Sequence, residues 1–211
     1  MSGVFIAFEG IDGSGKSTSA RAVADHLRAR GLDVVLTREP GGTEPGREIR
    51  AILLEGQNQL APGTELLLMC ADRAEHVATV IRPALNAGAI VISDRYAGST
   101  RAYQGYGLGL DMSSVNTAIE IATGGLCPDL TILFDLDPEL AHERRSGDAG
   151  QLNLLDVRDF DYRTRVREGF LKLAQASERW RVVDASQPLD IVAAQALELI
   201  GAVVDCRRVG P

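Results

Sequence analysis

Gly10-Ile11-Asp12-Gly13-Ser14-Gly15-Lys16-Ser17-Thr18 stands directly behind the apolar run Val4-Phe5-Ile6-Ala7-Phe8. Glycines at 10 and 15, followed by Lys16 and Ser17, satisfy every fixed position of a phosphate-binding loop. Glycines let successive backbone N–H groups turn inward around a phosphate, and the helix that follows presents the positive end of its dipole to the anion. Lys16 then reaches the β- and γ-phosphates, and the Ser17 hydroxyl is placed to ligate Mg²⁺. A strand-like run precedes the loop and helical spacing (Ala20, Val23, Ala24, Leu27) follows it, which is the context such a loop requires. The stretch reads as a nucleoside triphosphate site rather than a turn that only links strand to helix.

Working outward, Gly31 is a helix stop and Asp33 to Thr37 a second short strand. Arg38-Glu39-Pro40-Gly41-Gly42-Thr43 follows that strand's carboxyl end, where open α/β sheets place ligands. Residues 44–55 read as a helix with Ile49, Ile52 and Leu53 at core spacing. Glu65 to Ile81 reads as a long helix with a stripe of Leu66, Leu67, Met69, Cys70, Val77 and Ile81, and with Asp72, Arg73 and Glu75 on other parts of its surface. Ala89 to Ser93 predicts a doubly covered strand ending at Asp94-Arg95-Tyr96. An acid and an arginine at that edge are costly to desolvate unless paired or used on ligands. Gly98 to Gly107 concentrates hydroxyls, an amide and aromatic rings that can read a base and sugar. A helix over 113–123 capped by Ser113, a strand over Leu130 to Phe134, a helix from Pro138 to Arg145, a mobile stretch Ser146 to Gly150, a helix over 159–174, a strand Arg181 to Ala185 and a helix over 191–204 complete the chain. Alternating strands and helices point to an α/β fold, a parallel sheet with helices on both faces.

The 211 residues suit one domain, and no internal repeat or linker divides them. A formal net charge of −7 speaks against a nucleic-acid-coating protein. Cys70, Cys127 and Cys206 are too widely spaced for a paired metal-ligand pattern and suit a reducing compartment. Strand residues run almost straight from the N-terminus into the phosphate loop, so a cleaved leader would destroy the site, and the cytoplasm is expected. No apolar run approaches the roughly 20 residues of a membrane span.

Gly10 to Thr18, Arg38 to Thr43, Ala71-Asp72-Arg73, Asp94-Arg95-Tyr96 and Ala102-Tyr103-Gln104-Gly105, in that order and spacing, resemble the bacterial thymidylate (dTMP) kinase family over almost the whole chain. The resemblance implies a P-loop NTPase-type, nucleoside monophosphate kinase-like fold with a small mobile lid. It implies transfer of the γ-phosphoryl of ATP to dTMP with Mg²⁺, in a homodimer that binds no nucleic acid and no membrane. Carried over by motif, Gly10, Ile11, Asp12, Gly13, Ser14, Gly15, Lys16, Ser17 and Thr18 would bind ATP, with Arg144 and Arg145 closing from the lid. Asp12, Lys16 and Arg95 would be catalytic, and Ser17 and Asp94 would serve the metal. Arg38, Glu39, Met69, Arg73, Arg95, Thr100, Tyr103 and Gln104 would bind the acceptor nucleotide.

The chain departs from the family's pattern in three places. Met69 stands where an aromatic residue stacks on thymine. Gly98-Ser99-Thr100, followed by Arg101, replaces Asp-Ser-Ser and is expected to put a cation beside the acceptor pocket. Leu152-Asn153-Leu154-Leu155-Asp156 carries no lid arginine. These departures leave open a sibling kinase for another pyrimidine deoxynucleotide. A nucleotide switch is the alternative from another class, although no Asn-Lys-x-Asp element is present.

Overall fold

The computed structural model describes residues 3–55, 59–147 and 160–208. Five parallel strands carry the fold: β1 (Val4–Glu9), β2 (Val34–Arg38), β3 (Ile90–Asp94), β4 (Leu130–Asp135) and β5 (Trp180–Asp184), in the order β2-β3-β1-β4-β5. The chain leaves central β1 for the edge at β2, returns through β3, and then crosses to β4. The carboxyl end of β1 is therefore the point where strand order reverses, and open α/β sheets form their ligand crevice there. Among the described residues no helix is long and apolar enough to cross a membrane.

Alternation along β1 explains the two covered faces. Val4, Ile6 and Phe8, with Ile90 and Ile92 of β3, join Ala20, Val23 and Leu27 of α1 (Lys16–Ala29) and Val192, Ala196 and Ile200 of α9 (Leu189–Arg208) in one core. Phe5, Ala7 and Val91 point the other way, toward Leu66, Cys70, Val77 and Ile81 and toward Val115, Ile119 and Ala122 of α6 (Met112–Thr123). Burial on both faces is why these strands read as continuous apolar runs rather than alternating ones.

Several local expectations need correction. The second helical run begins as α2 (Glu44–Arg50), capped by the Thr43 hydroxyl on Gly46 N–H, and widens into π-type turns over Ala51–Glu55. A wider turn rotates the apolar face, so Leu53 is buried while Ile52 is 50% exposed. The long helix starts earlier than predicted, as α3 (Pro62–His76) with Pro62 in the first turn. It continues through wide turns at Val77–Ile81 into α4 (Arg82–Asn86). Leu67 falls off the stripe set by Leu66, Cys70 and Val77 and is 66% exposed, whereas Asp72 and Arg73 are buried. The segment 97–107 is helical, as α5 (Ala97–Thr100) followed by wide turns over Arg101–Gly107. Asp111, not Ser113, caps α6 by accepting from Ser114 N–H, and Gly124 ends it in a left-handed conformation. The remaining helices are α7 (Pro138–Gly147) and α8 (Phe160–Gln175). From position 148 onward the expected lid, with Leu152 to Asp156 and the predicted helix start at Asp159, lies outside the described residues.

Ile6→Ala, in the centre of β1 and fully buried, should lower stability by about 2–5 kcal/mol. Ile191→Ala, at a 46% exposed position on α9, should change it by roughly 0.5 kcal/mol or less. Urea midpoints check both, and equal losses would mean that the two-face core is wrong.

Candidate active site

The phosphate loop turns back over the carboxyl end of β1 because its glycines occupy backbone regions closed to other residues. Gly10, Gly13 and Gly15 have φ of 142°, 88° and 80°. A Cβ on Gly10 would also sit 2.5 Å from the Phe134 carbonyl oxygen. The Lys16 ammonium donates to Ile11 O at 2.8 Å and is buried. Burial and the neighbouring Arg95 charge depress its pKa to about 8, so it remains mostly cationic at neutral pH. The Ser17 hydroxyl donates to Asp94 Oδ2, which joins the two groups expected at the metal. A cleft of about 870 Å³ opens beyond the loop, lined by residues 12–18, Arg144, Arg145 and the turn 185–189.

Arg144 and Arg145 sit differently. Arg144 donates to Ala185 O (2.8 Å) and Ser186 O (3.2 Å), which ties α7 to the turn on the far wall of the cleft. Arg145 packs over Gly13, its Cγ 3.2 Å from where a Cβ would stand, close enough for its charge to act on Asp12.

Arg95 is the junction of the site. It is a non-glycine residue with φ of 76°, a conformation that persists only when surrounding contacts over-determine it. Such contacts hold it from each side. Its N–H donates to Phe8 O, and its carbonyl accepts from the Ser93 hydroxyl. The guanidinium donates to Gly10 O (3.0 Å), Ser99 Oγ (2.9 Å), Asp12 Oδ1 (2.7 Å) and Tyr103 Oη (3.1 Å). Burial opposes its charge, but Tyr103 and the acids Asp12, Asp94 and Glu9 win, and its pKa is raised. Burial likewise opposes the ionised Asp12, and the charges of Arg95 and Lys16 hold its carboxyl well below the usual carboxylate range. Pairing of this kind makes a buried cation affordable.

Beside Arg95 lies a cavity of about 80 Å³ that brings together Glu39, Met69, Arg73, Thr100, Tyr103 and Gln104. Arg38 lines the adjoining cleft of about 410 Å³ with Lys16, Ser17 and Asp94. The residues assigned to the acceptor from sequence therefore converge, although they come from β2, α3 and the 97–107 segment. Arg73 is fixed rather than mobile: Nε donates to Glu39 Oε2 (2.8 Å), Nη1 to Thr100 Oγ1 (2.9 Å) and Nη2 to Tyr96 O (3.0 Å). Gln104 donates to buried Glu65. Met69 lines the wall. Arg101 does not, because it turns away to Asn116 Oδ1 (2.8 Å), and the α-carbon of Gly98 faces Trp180 and Glu9. The expected extra cation beside the acceptor pocket is absent from the described lining.

Sequence reasoning missed four polar residues. Glu9, fully buried at the end of β1, accepts from Tyr96 N–H, Ser99 N–H and Ser99 Oγ, which holds the helix start that carries Ser99 under Arg95. His76 bridges Glu39 Oε1 (2.9 Å) and Thr37 Oγ1 (2.6 Å). Asp72 Oδ1 accepts from Gly41 N–H (2.9 Å), tying the 38–43 loop to α3. Arg50 reaches Pro40 O (3.0 Å) and borders both cavities. A charged residue ending an apolar run, as at Glu9, is the one sequence signal available. Asp72 and His76 sit in a helical pattern that reads equally as surface.

Asp72 Oδ2 is buried and finds no hydrogen-bond partner. Burial raises the Asp72 pKa to about 6, with Gly41 N–H and the charges of His76 and Arg73 opposing and Glu39 adding to the rise. Between about pH 4 and 6 the folded protein thus holds a proton that the unfolded chain has released, and this contribution to stability is lost as pH rises through that window. Relative to Asp72→Asn, the wild-type protein should gain stability as pH falls from 7 to 4. Parallel denaturation midpoints for the two proteins across that range would contradict the assignment.

The family model for thymidylate kinase matches residues 8–196. A thymidylate kinase of Nitratidesulfovibrio vulgaris (strain DP4) is 50% identical over 198 residues, covering 90% of this chain and 88% of that protein. That of Desulfovibrio desulfuricans is 48% identical, with 98% and 99% covered, and that of Synechococcus sp. (strain RCC307) 47%, with 95% and 96% covered. A phosphate loop at the sheet's switch point, a fixed arginine joining it to a second cavity, and near-complete alignment with these relatives agree: the chain belongs to the thymidylate kinase family.

Proposed function

We infer that this chain is a phosphotransferase that moves the γ-phosphoryl group of ATP to dTMP, giving dTDP and ADP. The observation that carries the reading is the junction at Asp12 and Arg95. Both residues border the small cavity beside Arg73 and the cleft that holds Lys16, so an acceptor phosphate and a donor phosphate would meet there. Phosphoryl transfer asks mainly for in-line alignment of two anions and for neutralisation of developing charge. Lys16 and the loop amides of residues 10–18 would hold the ATP phosphates, and Arg145, over the loop, would add to them. Arg38 and Arg95 would clamp the acceptor monophosphate with Asp12 beside it. Arg73, fixed by Glu39, would present a rigid polar face to the base. Thr100, Tyr103 and Gln104 would line base and sugar, and Met69 would give the ring a polarisable contact.

The Ser17 hydroxyl and Asp94 carboxylate form a hard-oxygen pair suited to Mg²⁺. Among the described residues no group of three or more His, Cys, Asp or Glu side chains could hold a metal. That fits an ion carried largely by phosphate oxygens and water. When bound, Mg²⁺ would neutralise charge on the β- and γ-phosphates. We read the whole chain as one domain acting in the cytoplasm as a homodimer. Exposed Leu67 on α3 and Ile121 on α6, the latter 80% exposed, support an apolar contact between copies.

Coupled ADP release with ATP, Mg²⁺ and a panel of pyrimidine monophosphates should show strong preference for dTMP and little release without acceptor. Preference for another acceptor, or acceptor-independent release, would overturn the reading. Arg95→Ala should lower kcat/KM for dTMP by about 10² to 10³, the scale of losing one preorganised charge-stabilising donor. Leu67→Glu should shift the sedimenting species from dimer to monomer, and an unchanged mass would remove the proposed contact.

A further inference from the structure

A groove of about 350 Å³ lies apart from the substrate cavities, on the other side of α5. Ser99 and Thr100 of that short helix face the acceptor cavity, whereas Ala97 and Gly98 line the groove. Trp180, at the start of β5, also lines it, and its indole edge packs against Gly98, where a Cβ would stand 2.7 Å from Cη2.

The charges around the groove are unbalanced. Arg101 and Arg179 both line it. Arg101 is half-buried, and its Nε donates to the uncharged Asn116 amide oxygen, while its two terminal nitrogens meet no acceptor among the described residues. Arg179 is exposed, and it bonds through its backbone, with its N–H on Ser177 Oγ and its carbonyl accepting from Thr131 N–H. Neither makes an ion pair with a carboxylate among the described residues, unlike Arg73, Arg95 and Arg167. Glu9 is the one carboxylate in the wall, and its oxygens already accept from Tyr96 and Ser99. Burial and the nearby Arg73 charge act against the Arg101 cation, while Cys127, Glu9 and Glu120 act in its favour without contacting it. A partly desolvated guanidinium that no carboxylate contacts, in one groove with a second guanidinium and an aromatic ring, favours an anion with several oxygens.

We propose that this groove is a second ligand site, independent of the phosphate loop, which binds a polyphosphate between Arg101 and Arg179 against Trp180. The shared chemistry is a di- or triphosphate, either inorganic or carried by a nucleotide whose base contacts the indole. The proposal does not depend on the acceptor being dTMP.

Trp180 is the chain's only tryptophan, so intrinsic fluorescence reports on this groove without a label. Full-length protein is first saturated with Mg²⁺, a non-hydrolysable ATP analogue and dTMP, which fills the substrate sites. It is then titrated with pyrophosphate and, separately, with dTTP, each against sodium chloride at matched ionic strength. We expect a saturable change in Trp180 emission, roughly tenfold weaker in apparent affinity in Arg179→Gln and lost in the Arg101→Gln/Arg179→Gln double variant. Tighter binding of dTTP than of pyrophosphate would identify a nucleotide-borne ligand, and equal binding a bare polyphosphate. Arg101 also holds Asn116, so the exposed Arg179→Gln variant serves as the decisive one should the double variant lose its fold. An emission change no larger than the salt control, or one of unchanged affinity in Arg179→Gln, would overturn the proposal.

Discussion

The site depends on one constraint, a cation held in a backbone conformation that it would not choose. Arg95 follows the last residue of β3 with a positive φ, and its guanidinium is shared among Gly10 O, Ser99, Asp12 and Tyr103. These partners belong to the phosphate loop and to the 97–107 segment. Losing Arg95 would leave Asp12 without its main counter-charge and would separate the two segments. The strain is tolerable because acceptors converge from both sides, and it keeps the group in place before any phosphate arrives. Preorganisation of this kind costs no rearrangement at the moment of reaction.

The second fixed layer lies beneath the 38–43 loop. Glu39 takes hydrogen bonds from Arg73 and His76, His76 continues to Thr37, and Asp72 holds Gly41. Each of these groups is poorly hydrated, so each needs its partner. A mutation in α3 is thereby transmitted to a loop formed by distant sequence. The acidic chain can still present a cationic cleft, because local pairing rather than net charge sets the field at the junction of Lys16, Arg38 and Arg95.

Much of this was legible in the sequence where the chemistry is local. The phosphate loop, the doubly buried strands and the parallel α/β arrangement follow from spacing and apolar periodicity. Motif resemblance singles out Arg38, Arg73 and Arg95, and the fold places them around adjoining cavities. What spacing could not show is which way a side chain turns. Arg101 follows Thr100 directly, yet the helical geometry of 97–107 sends it to α6. Asp72 and His76 resemble surface charges on a helix until the loop at Gly41 and Gly42 packs over them. Wide turns at Ala51–Glu55 shift the apolar face by an amount that a 3.6-residue period does not anticipate, which leaves Ile52 outside. Arg144 and Arg145, adjacent in sequence, diverge to opposite tasks, one bracing the turn at Ala185 and the other covering Gly13.

Donor and acceptor nucleotides in cavities that meet at Asp12 and Arg95 would be spanned by a single molecule with adenosine and thymidine at the two ends of a pentaphosphate chain, which calorimetric displacement can measure. Such a molecule should compete with a non-hydrolysable ATP analogue and with dTMP alike, at one equivalent per chain. Displacement of only one of the two nucleotides would mean that the cavities do not share a junction at Asp12 and Arg95.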